Sequence, residues 1–319
     1  MTKASSILVL AKLEPEQLER IRQAAPESEV WTAEQPLEDR HYREAEIICG
    51  WNARAKQLSL APDSALRWLQ GWGAGIEKLP LDAIKERGIW LTNASGVHAY
   101  PISESVFAML LAFTRRLHRA VRNQAERRWE PQRDQGEAHG QTIGILGVGE
   151  IGREVARLAK AFRMQVLGVR RSGEAEPFVD RMTTFAGLSD VLAESDYIVN
   201  CLPLTAETKG IMDRDRFRLM KPDAFYMNIG RGGTTDTGAL LEALREGWIA
   251  GAGLDVFEEE PLPAEHPLWG FDNVIITPHH TGGTSHYNRR AVDLFIANLE
   301  AYRLGRMLPI NLIPPERMY

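Results

Sequence analysis

The sequence is poor in cysteine, in long apolar runs and in any excess of one charge, and each shortage removes a class of protein. Its two cysteines, Cys49 and Cys201, stand in the apolar runs IICG and YIVNC. Thiols so placed read as buried and reduced rather than as a disulfide framework, which fits the cytoplasm. The longest apolar stretch, Val106 to Phe113, falls far short of the roughly 20 residues a membrane-spanning helix needs. Near the N-terminus Lys3 is followed only by the short run from Ile7 to Ala11, without the pattern of a signal peptide. The net charge of −5 gives no reason to expect a nucleic-acid partner. Repeats and low-complexity tracts are missing, and no His/Cys/carboxylate cluster has the spacing of metal ligands. The expectation is a soluble, cytoplasmic protein that meets small molecules, with neither membrane nor metal involved.

What is present is ordinary for a globular chain: 44% hydrophobic and 25% charged residues over 319 positions. That length suggests two domains. Short apolar runs predict strands over Ile7–Leu10, Glu46–Cys49, Ile89–Thr92, Thr142–Leu146, Gln165–Val169, Tyr197–Cys201, Ala224–Asn228, Gly251–Leu254 and Val274–Thr277. Helical patterns such as Pro15–Ala25, Ile102–Phe113, Glu150–Phe162, Gly238–Glu246 and His286–Leu304 separate most of them. The alternation predicts an α/β protein with parallel sheets and helices on both faces. Arg115 to Gly140 interrupts it, being polar and arginine-rich around Trp129-Glu130-Pro131. That segment reads either as a solvated connection or as a place where Trp129 is buried against a second subunit.

The sharpest local pattern is Thr142-Ile143-Gly144-Ile145-Leu146-Gly147-Val148-Gly149-Glu150-Ile151-Gly152, an apolar strand running into GxGxxG and then an amphipathic helix. Gly147 permits the tight turn, Gly149 lets backbone approach a pyrophosphate, and Gly152 permits close helix–strand packing. The helix that opens there offers free N–H groups and a positive dipole end to phosphates. The next strand ends in Arg170-Arg171-Ser172, with no carboxylate for a ribose 2′-hydroxyl. Arg170 lies 18 positions after Gly152 (170 − 152), where that carboxylate would sit. Two guanidiniums and a hydroxyl suit a 2′-phosphate, so NADP is favoured and NAD stays open; the plain alternative is a solvated basic turn.

Three later segments place polar residues where strands should end: Asn228-Ile229-Gly230-Arg231-Gly232-Gly233, the run Asp255 to Pro261, and Thr277-Pro278-His279-His280-Thr281-Gly282-Gly283. In open α/β sheets ligands bind beyond the carboxyl ends of strands, so these loops can share one cleft.

With these motifs in this order, the chain resembles the D-isomer-specific 2-hydroxyacid dehydrogenases over essentially its whole length. The resemblance rests on GVGEIG at 147–152, NIGRGG at 228–233, DVFEEEP at 255–261 and TPHHTGG at 277–283. It points to the NADP-dependent reductases of glyoxylate and hydroxypyruvate within that family. It implies a catalytic triad of Arg231, Glu260 and His279, spaced by 29 (260 − 231) and 19 (279 − 260) positions. It also implies that Asp255 holds the nicotinamide carboxamide. Further cofactor contacts would come from Gly147, Gly149, Glu150, Ile151, Gly152, Arg170, Arg171, Ser172, Leu202, Pro203, Thr208, Ile229, Gly230 and Gly282. The chemistry agrees with these roles. Reduction at C2 of a 2-keto acid needs a hydride and a proton. Histidine, with an ordinary pKa of about 6.5, can supply the proton, and an arginine fork can orient the carboxylate. Glu258 and Glu259 are rival carboxylates, His280 is a rival acid, and Arg231 has a structural ion pair as its plain alternative. The other six histidines (His41, His98, His118, His139, His266 and His286) read as surface or packing residues.

The first third resembles the family's substrate-binding domain. Leu69 to Glu77 matches a glycine-bearing loop whose backbone N–H groups at Gly73, Ala74 and Gly75 would bind the substrate carboxylate along with Arg231 and His279; an ordinary strand-to-helix turn is the alternative. Trp51 and Trp72 read either as pocket lining or as core. Asn93-Ala94-Ser95-Gly96 is similar to the family's crossing between domains, while Pro101-Ile102-Ser103-Glu104 departs from its commoner Val-Ala-Glu. The resemblance implies two Rossmann-like or flavodoxin-like domains with the active site in the cleft between them. The substrate domain would be discontinuous, 1–98 with 286–319, and the dinucleotide domain would span 99–285. It further implies a homodimer. Alternatives within reach are phosphoglycerate dehydrogenase, an NAD-linked dehydrogenase working oxidatively, and a nucleotide-sensing, co-repressor-like protein on the same fold. Formate oxidation is disfavoured, because that branch carries glutamine where Glu260 stands.

Overall fold

The computed structural model describes residues 5–76 and 79–317. Glu77, at the end of the glycine-bearing loop, lies outside the described residues, as do residues 1–4 and 318–319 of the expected substrate domain. The chain forms two compact units, residues 1–97 with 284–319, and residues 98–283.

The first unit is built on five parallel strands, β1 (Ser6–Val9), β2 (Glu29–Thr32), β3 (Ile47–Cys49), β4 (Trp68–Gln70) and β5 (Trp90–Thr92). Their order is 2-1-3-4-5, that of flavodoxin-like sheets. Ile7, Leu8 and Val9 in β1, and Ile47, Ile48 and Cys49 in β3, are fully buried. Strands covered on both faces need such unbroken apolar runs instead of alternation. One face is closed by the helix Pro15–Ala24 and by the late helix Tyr287–Arg303, whose Val292, Phe295 and Leu299 share a core with Ile7, Ile47 and Trp68. The Trp68 ring stacks on Phe295 at 5.1 Å and on Tyr302 at 5.6 Å. Its indole N–H donates to Thr92 Oγ1 at 2.7 Å, so its polar atom is answered inside the core.

The second unit carries seven parallel strands, β6 (Thr142–Leu146), β7 (Gln165–Val169), β8 (Arg181–Thr183), β9 (Tyr197–Asn200), β10 (Phe225–Asn228), β11 (Gly251–Leu254) and β12 (Val274–Ile276). The order is 12-11-10-9-6-7-8. The chain leaves β6 in one direction to β7 and then returns to β9 on its other side. That reversal is where doubly wound sheets open a ligand crevice. Alternate strand residues feed two cores. Ile143, Ile145 and Val199 pack with the helices Ala99–Thr114 and Glu150–Ala161. Leu146, Ile198 and Tyr226 pack with Leu188–Glu194, Arg214–Leu219 and Thr237–Arg245 on the other face.

Four elements differ from the expected strands and helices, the first being the short strand β4, which lies directly before the glycine-bearing loop. Strand β2 opens on an exposed glutamate and β8 is Arg181-Met182-Thr183 with an exposed arginine, so neither offered a clear apolar run. Within 115–140, where a solvated connection was one expectation, a helix runs from Leu117 to Ala125; residues 128–137 have no regular structure. Arg122 ties that helix to Asp272 at 2.8 Å. The same stretch leaves Leu117 and Val121 more than half exposed and Trp129 96% exposed.

Candidate active site

Strand β6 passes into a turn at Gly147, whose φ of +95° is open to glycine and strained for other residues. Its N–H donates to Val169 O at 2.9 Å, which ties the turn to the end of β7. A Cβ on Gly152 would stand 2.7 Å from Gly147 O, so helix and turn touch there. A Cβ on Gly149 would meet nothing within 4 Å. The loop is thus open at Gly149, the residue that caps a 12-residue helix with Glu150 and Ile151 on its first turn. Space beside unpaired helix N–H groups fits the pyrophosphate of a dinucleotide.

Past β7 the arginine pair has company. Arg170 Nη1 donates to Glu176 Oε1 at 2.6 Å, and Ser172 Oγ donates to Glu174 Oε2 at 3.2 Å. Glu176 accepts a second bond from Arg153 at 2.7 Å. Arg171 is exposed. Both carboxylates lie just past the Arg170-Arg171-Ser172 motif, in the acidic pattern Gly173-Glu174-Ala175-Glu176 directly after the turn, which is the signal in the sequence for them.

Leu202 is buried after β9, its N–H on Asn200 Oδ1 at 3.1 Å. Buried Thr208 braces the next loop by donating to the carbonyl of exposed Pro203 at 2.6 Å. After β10 comes buried Ile229. Gly230 N then donates to Asn228 Oδ1 at 3.1 Å, and Arg231 is exposed with Nη1 on Gly230 O at 2.8 Å. Beneath the turn lies a polar cluster unread in the sequence. Asn200 Nδ2 donates to Tyr226 Oη and Thr234 Oγ1, both at 2.9 Å. Thr234 Oγ1 donates to Arg231 O at 2.7 Å, and Asn228 Nδ2 also reaches Arg231 O at 3.2 Å. All four side chains are buried, so each needs these partners, and together they fix the backbone that carries Arg231. The available clue was the hydroxyl pair Thr234-Thr235 directly after the Arg231-Gly232-Gly233 turn.

Gly232 brings the second loop in. A Cβ there would lie 1.9 Å from Phe257 C and O, so the Arg231 turn packs directly on the backbone leading to Glu260. Of the three consecutive glutamates, Glu258 accepts the N–H of Thr237, while Glu260 pairs with histidine: His279 Nδ1 lies 2.7 Å from Glu260 Oε2. Glu260 Oε1 accepts the N–H of Phe257 at 2.9 Å. Burial alone would raise the Glu260 pKa, but the bonds from His279 and Phe257 N–H outweigh it and hold the carboxyl below its usual range. The His279 backbone is left-handed at φ +50°, an uncommon state for a non-glycine residue and one concentrated at functional sites.

Asp255 explains how that conformation is held. It is buried and spends its acceptors on the histidine loop. Thr277 Oγ1 donates at 2.7 Å, His280 N at 2.9 Å and Thr281 Oγ1 at 2.6 Å. His279 N itself bonds Asp255 O at 2.9 Å. Gly282 gives its carbonyl to His98 Nδ1 at 2.8 Å. His280 is exposed next to His279.

In the first unit, Gly73, Ala74 and Gly75 form an exposed loop after β4. Their carbonyl side is tied down, with Ala94 N on Gly73 O at 2.9 Å and Asn93 Nδ2 on Ala74 O at 2.6 Å. Trp72 is half-buried, its indole N–H on Asn288 Oδ1 at 3.0 Å, and packs against the core of Ile7, Trp68 and Phe295; Trp51 packs against the separate core of Leu8, Ile48 and Leu69. Among the described residues, no group of three His, Cys, Asp or Glu could hold a metal ion, and no helix is long and apolar enough to cross a membrane.

Comparison with known proteins agrees with this site. The family described as "D-isomer specific 2-hydroxyacid dehydrogenase, NAD binding domain" matches residues 107–281. A glyoxylate reductase of Pyrococcus furiosus is 38% identical over 252 residues, 76% of this chain and 75% of its own length. A D-isomer specific 2-hydroxyacid dehydrogenase family protein from Aeromonas salmonicida superposes with a TM-score of 0.82 at 36% identity, covering 98% of this chain and 100% of that one. An NADPH-dependent glyoxylate/hydroxypyruvate reductase from Sinorhizobium meliloti, solved with NADP and sulfate, gives 0.77 at 28% identity, covering 99% and 100%. With its sheet order, its glycine turn and its paired Glu260 and His279 in place, the chain belongs to the D-isomer-specific 2-hydroxyacid dehydrogenases.

Proposed function

We propose that the protein reduces glyoxylate or hydroxypyruvate to the 2-hydroxy acid, with NADPH preferred over NADH. The observation that carries the reading is the 2.7 Å contact between Glu260 and His279 Nδ1, on loops packed against the Arg231 turn. With Nδ1 engaged by Glu260, Nε2 is the nitrogen left to face substrate. A reduced nicotinamide, when bound, supplies the hydride for C2. His279 gives its proton from Nε2 to the C2 oxygen, and Glu260 stabilises the charged ring before that transfer. Arg231 binds the substrate carboxylate and, with the N–H groups of Gly73, Ala74 and Gly75, orients it. Asp255 serves first as the anchor of the His279 loop and second as a contact for the nicotinamide carboxamide. Leu202, Pro203, Thr208, Ile229, Gly230 and Gly282 form the rim on the nicotinamide side, and Gly147 to Gly152 receive the pyrophosphate.

Arg170 and Arg171 support the NADPH preference by offering guanidinium forks where a 2′-phosphate would lie. The names of the Pyrococcus and Sinorhizobium relatives support the substrates. Residues 1–97 with 284–319 act as the substrate domain and residues 98–283 as the dinucleotide domain. The protein works in the cytoplasm as a homodimer joined through the face that exposes Leu117, Val121 and Trp129. Absorbance of the reduced nicotinamide, followed with glyoxylate or hydroxypyruvate and either cofactor, tests the reading. Faster oxidation of NADPH is expected. Faster oxidation of NADH overturns the cofactor choice, and no oxidation of either with any short keto acid overturns the activity.

A further inference from the structure

The corner after β7 holds more negative charge than its arginine pair suggested. Glu176 is 10% exposed at its side chain and lies between two guanidiniums, Arg153 at 2.7 Å and Arg170 at 2.6 Å. Arg153 belongs to the first turn of the helix after the glycine loop, its N–H on Gly149 O at 2.9 Å. Arg170 follows Val169, whose carbonyl holds Gly147 N. The carboxylate therefore bridges the two elements that flank the adenosine end of a bound dinucleotide, and it is held there from the helix side. Glu174 stands 3.9 Å from Arg170 Nη2 and bonds Ser172, so two of the three residues expected to greet a phosphate, Arg170 and Ser172, already face carboxylates, while Arg171 is exposed.

We propose that Glu176 is a specificity-determining residue: its carboxylate is the internal anion against which a cofactor 2′-phosphate competes for Arg170, an inference that rests on the reading of Arg170 as a phosphate ligand. A guanidinium meets a phosphate best through two parallel N–H bonds, and here Nη1 is already engaged. A 2′-phosphate entering this corner must displace that bond and accept a like charge as neighbour. A 2′-hydroxyl brings no such charge and can donate to a carboxylate. Arg153, bonded to Glu176, keeps the carboxyl below its usual pKa range, so it stays ionised at neutral pH. Glu176 thus narrows the gap between the two cofactors that Arg170 opens, and the chain uses both.

The test measures dissociation constants for NADPH and NADH by the fluorescence of the bound reduced nucleotide, in the parent chain, in E176Q and in R170A. E176Q is expected to tighten NADPH about two- to fivefold, the scale of one part-exposed charge contact, while NADH stays level or weakens. R170A is expected to weaken NADPH and spare NADH. If E176Q leaves the NADPH/NADH ratio unchanged or lowers it while R170A still weakens NADPH, the proposal falls and the phosphate reading stands. If E176Q weakens both nucleotides alike, Glu176 is a structural brace and the proposal falls. If R170A leaves NADPH binding intact, the phosphate reading falls and takes the proposal with it.

Discussion

At the scale of single residues, the site depends on His279 being held in a backbone state it would not choose alone. A left-handed histidine costs on the order of 1–3 kcal/mol, and Asp255 offsets this by fixing the loop from Thr277 to Thr281 through side-chain and backbone donors. The ring is then aimed by Glu260, whose lowered pKa keeps it ionised through the neutral range. The stabilisation from that pair is present above the carboxyl's unfolded pKa and is lost as pH falls through its lower folded value. Replacing His279 with Ala is expected to lower kcat by about 100-fold or more, the usual contribution of a positioned general acid. H280A should leave kcat within a small factor of the parent, because the His280 backbone N–H bonded to Asp255 survives that change. Steady-state kinetics of the two variants decide the matter; a loss in H280A matched by none in H279A would reverse the assignment.

At the scale of elements, the loops after β10, β11 and β12 emerge side by side because those strands are neighbours in register, Asn228 beside Leu254 and Leu254 beside Ile276. Gly232 closes the contact between the first two loops. G232A places a methyl inside the backbone of Phe257, so the Arg231 turn must move away; a stability loss of about 1–3 kcal/mol is expected, with kcat falling alongside it. Thermal melting and turnover of the variant check this, and an unchanged enzyme would mean that the turn is more yielding than its packing implies. Much at this scale was legible from sequence. Strands β6, β7 and β11 show their full extent as apolar runs, and the glycine turn announces itself through its spacing. Strand β2 was not legible, since its exposed Glu29 hides its pairing with β1. Nor were Asn200, Tyr226, Thr234 and Glu176, whose roles come from partners up to 34 positions away or from a turn that folds back on itself. Spacing reveals motifs that touch a ligand; it does not reveal polar residues that touch only one another.

At the scale of the whole molecule, the face of the helix Leu117–Ala125 raises the question of association. Leu117 and Val121 are four positions apart and share one side of the helix, and Trp129 follows on an irregular stretch. If this face joins two copies, light scattering after size exclusion should report a dimer for the parent chain, and substituting Asp for both Val121 and Trp129 should shift it to monomer. A parent chain that runs as a monomer at micromolar concentration would remove the homodimer. The first unit has a different consequence, one of timing. Its core is closed by Phe295, Leu299 and Tyr302, which stack on or pack against Trp68 and β1. During synthesis, residues 98–283 leave the ribosome with all seven of their strands in hand, while the five strands made before them still lack one covering helix. The strands of residues 1–97 can complete their core only once the helix Tyr287–Arg303 has been made, and until then the sheet face that Phe295 and Leu299 cover has no partner from that helix.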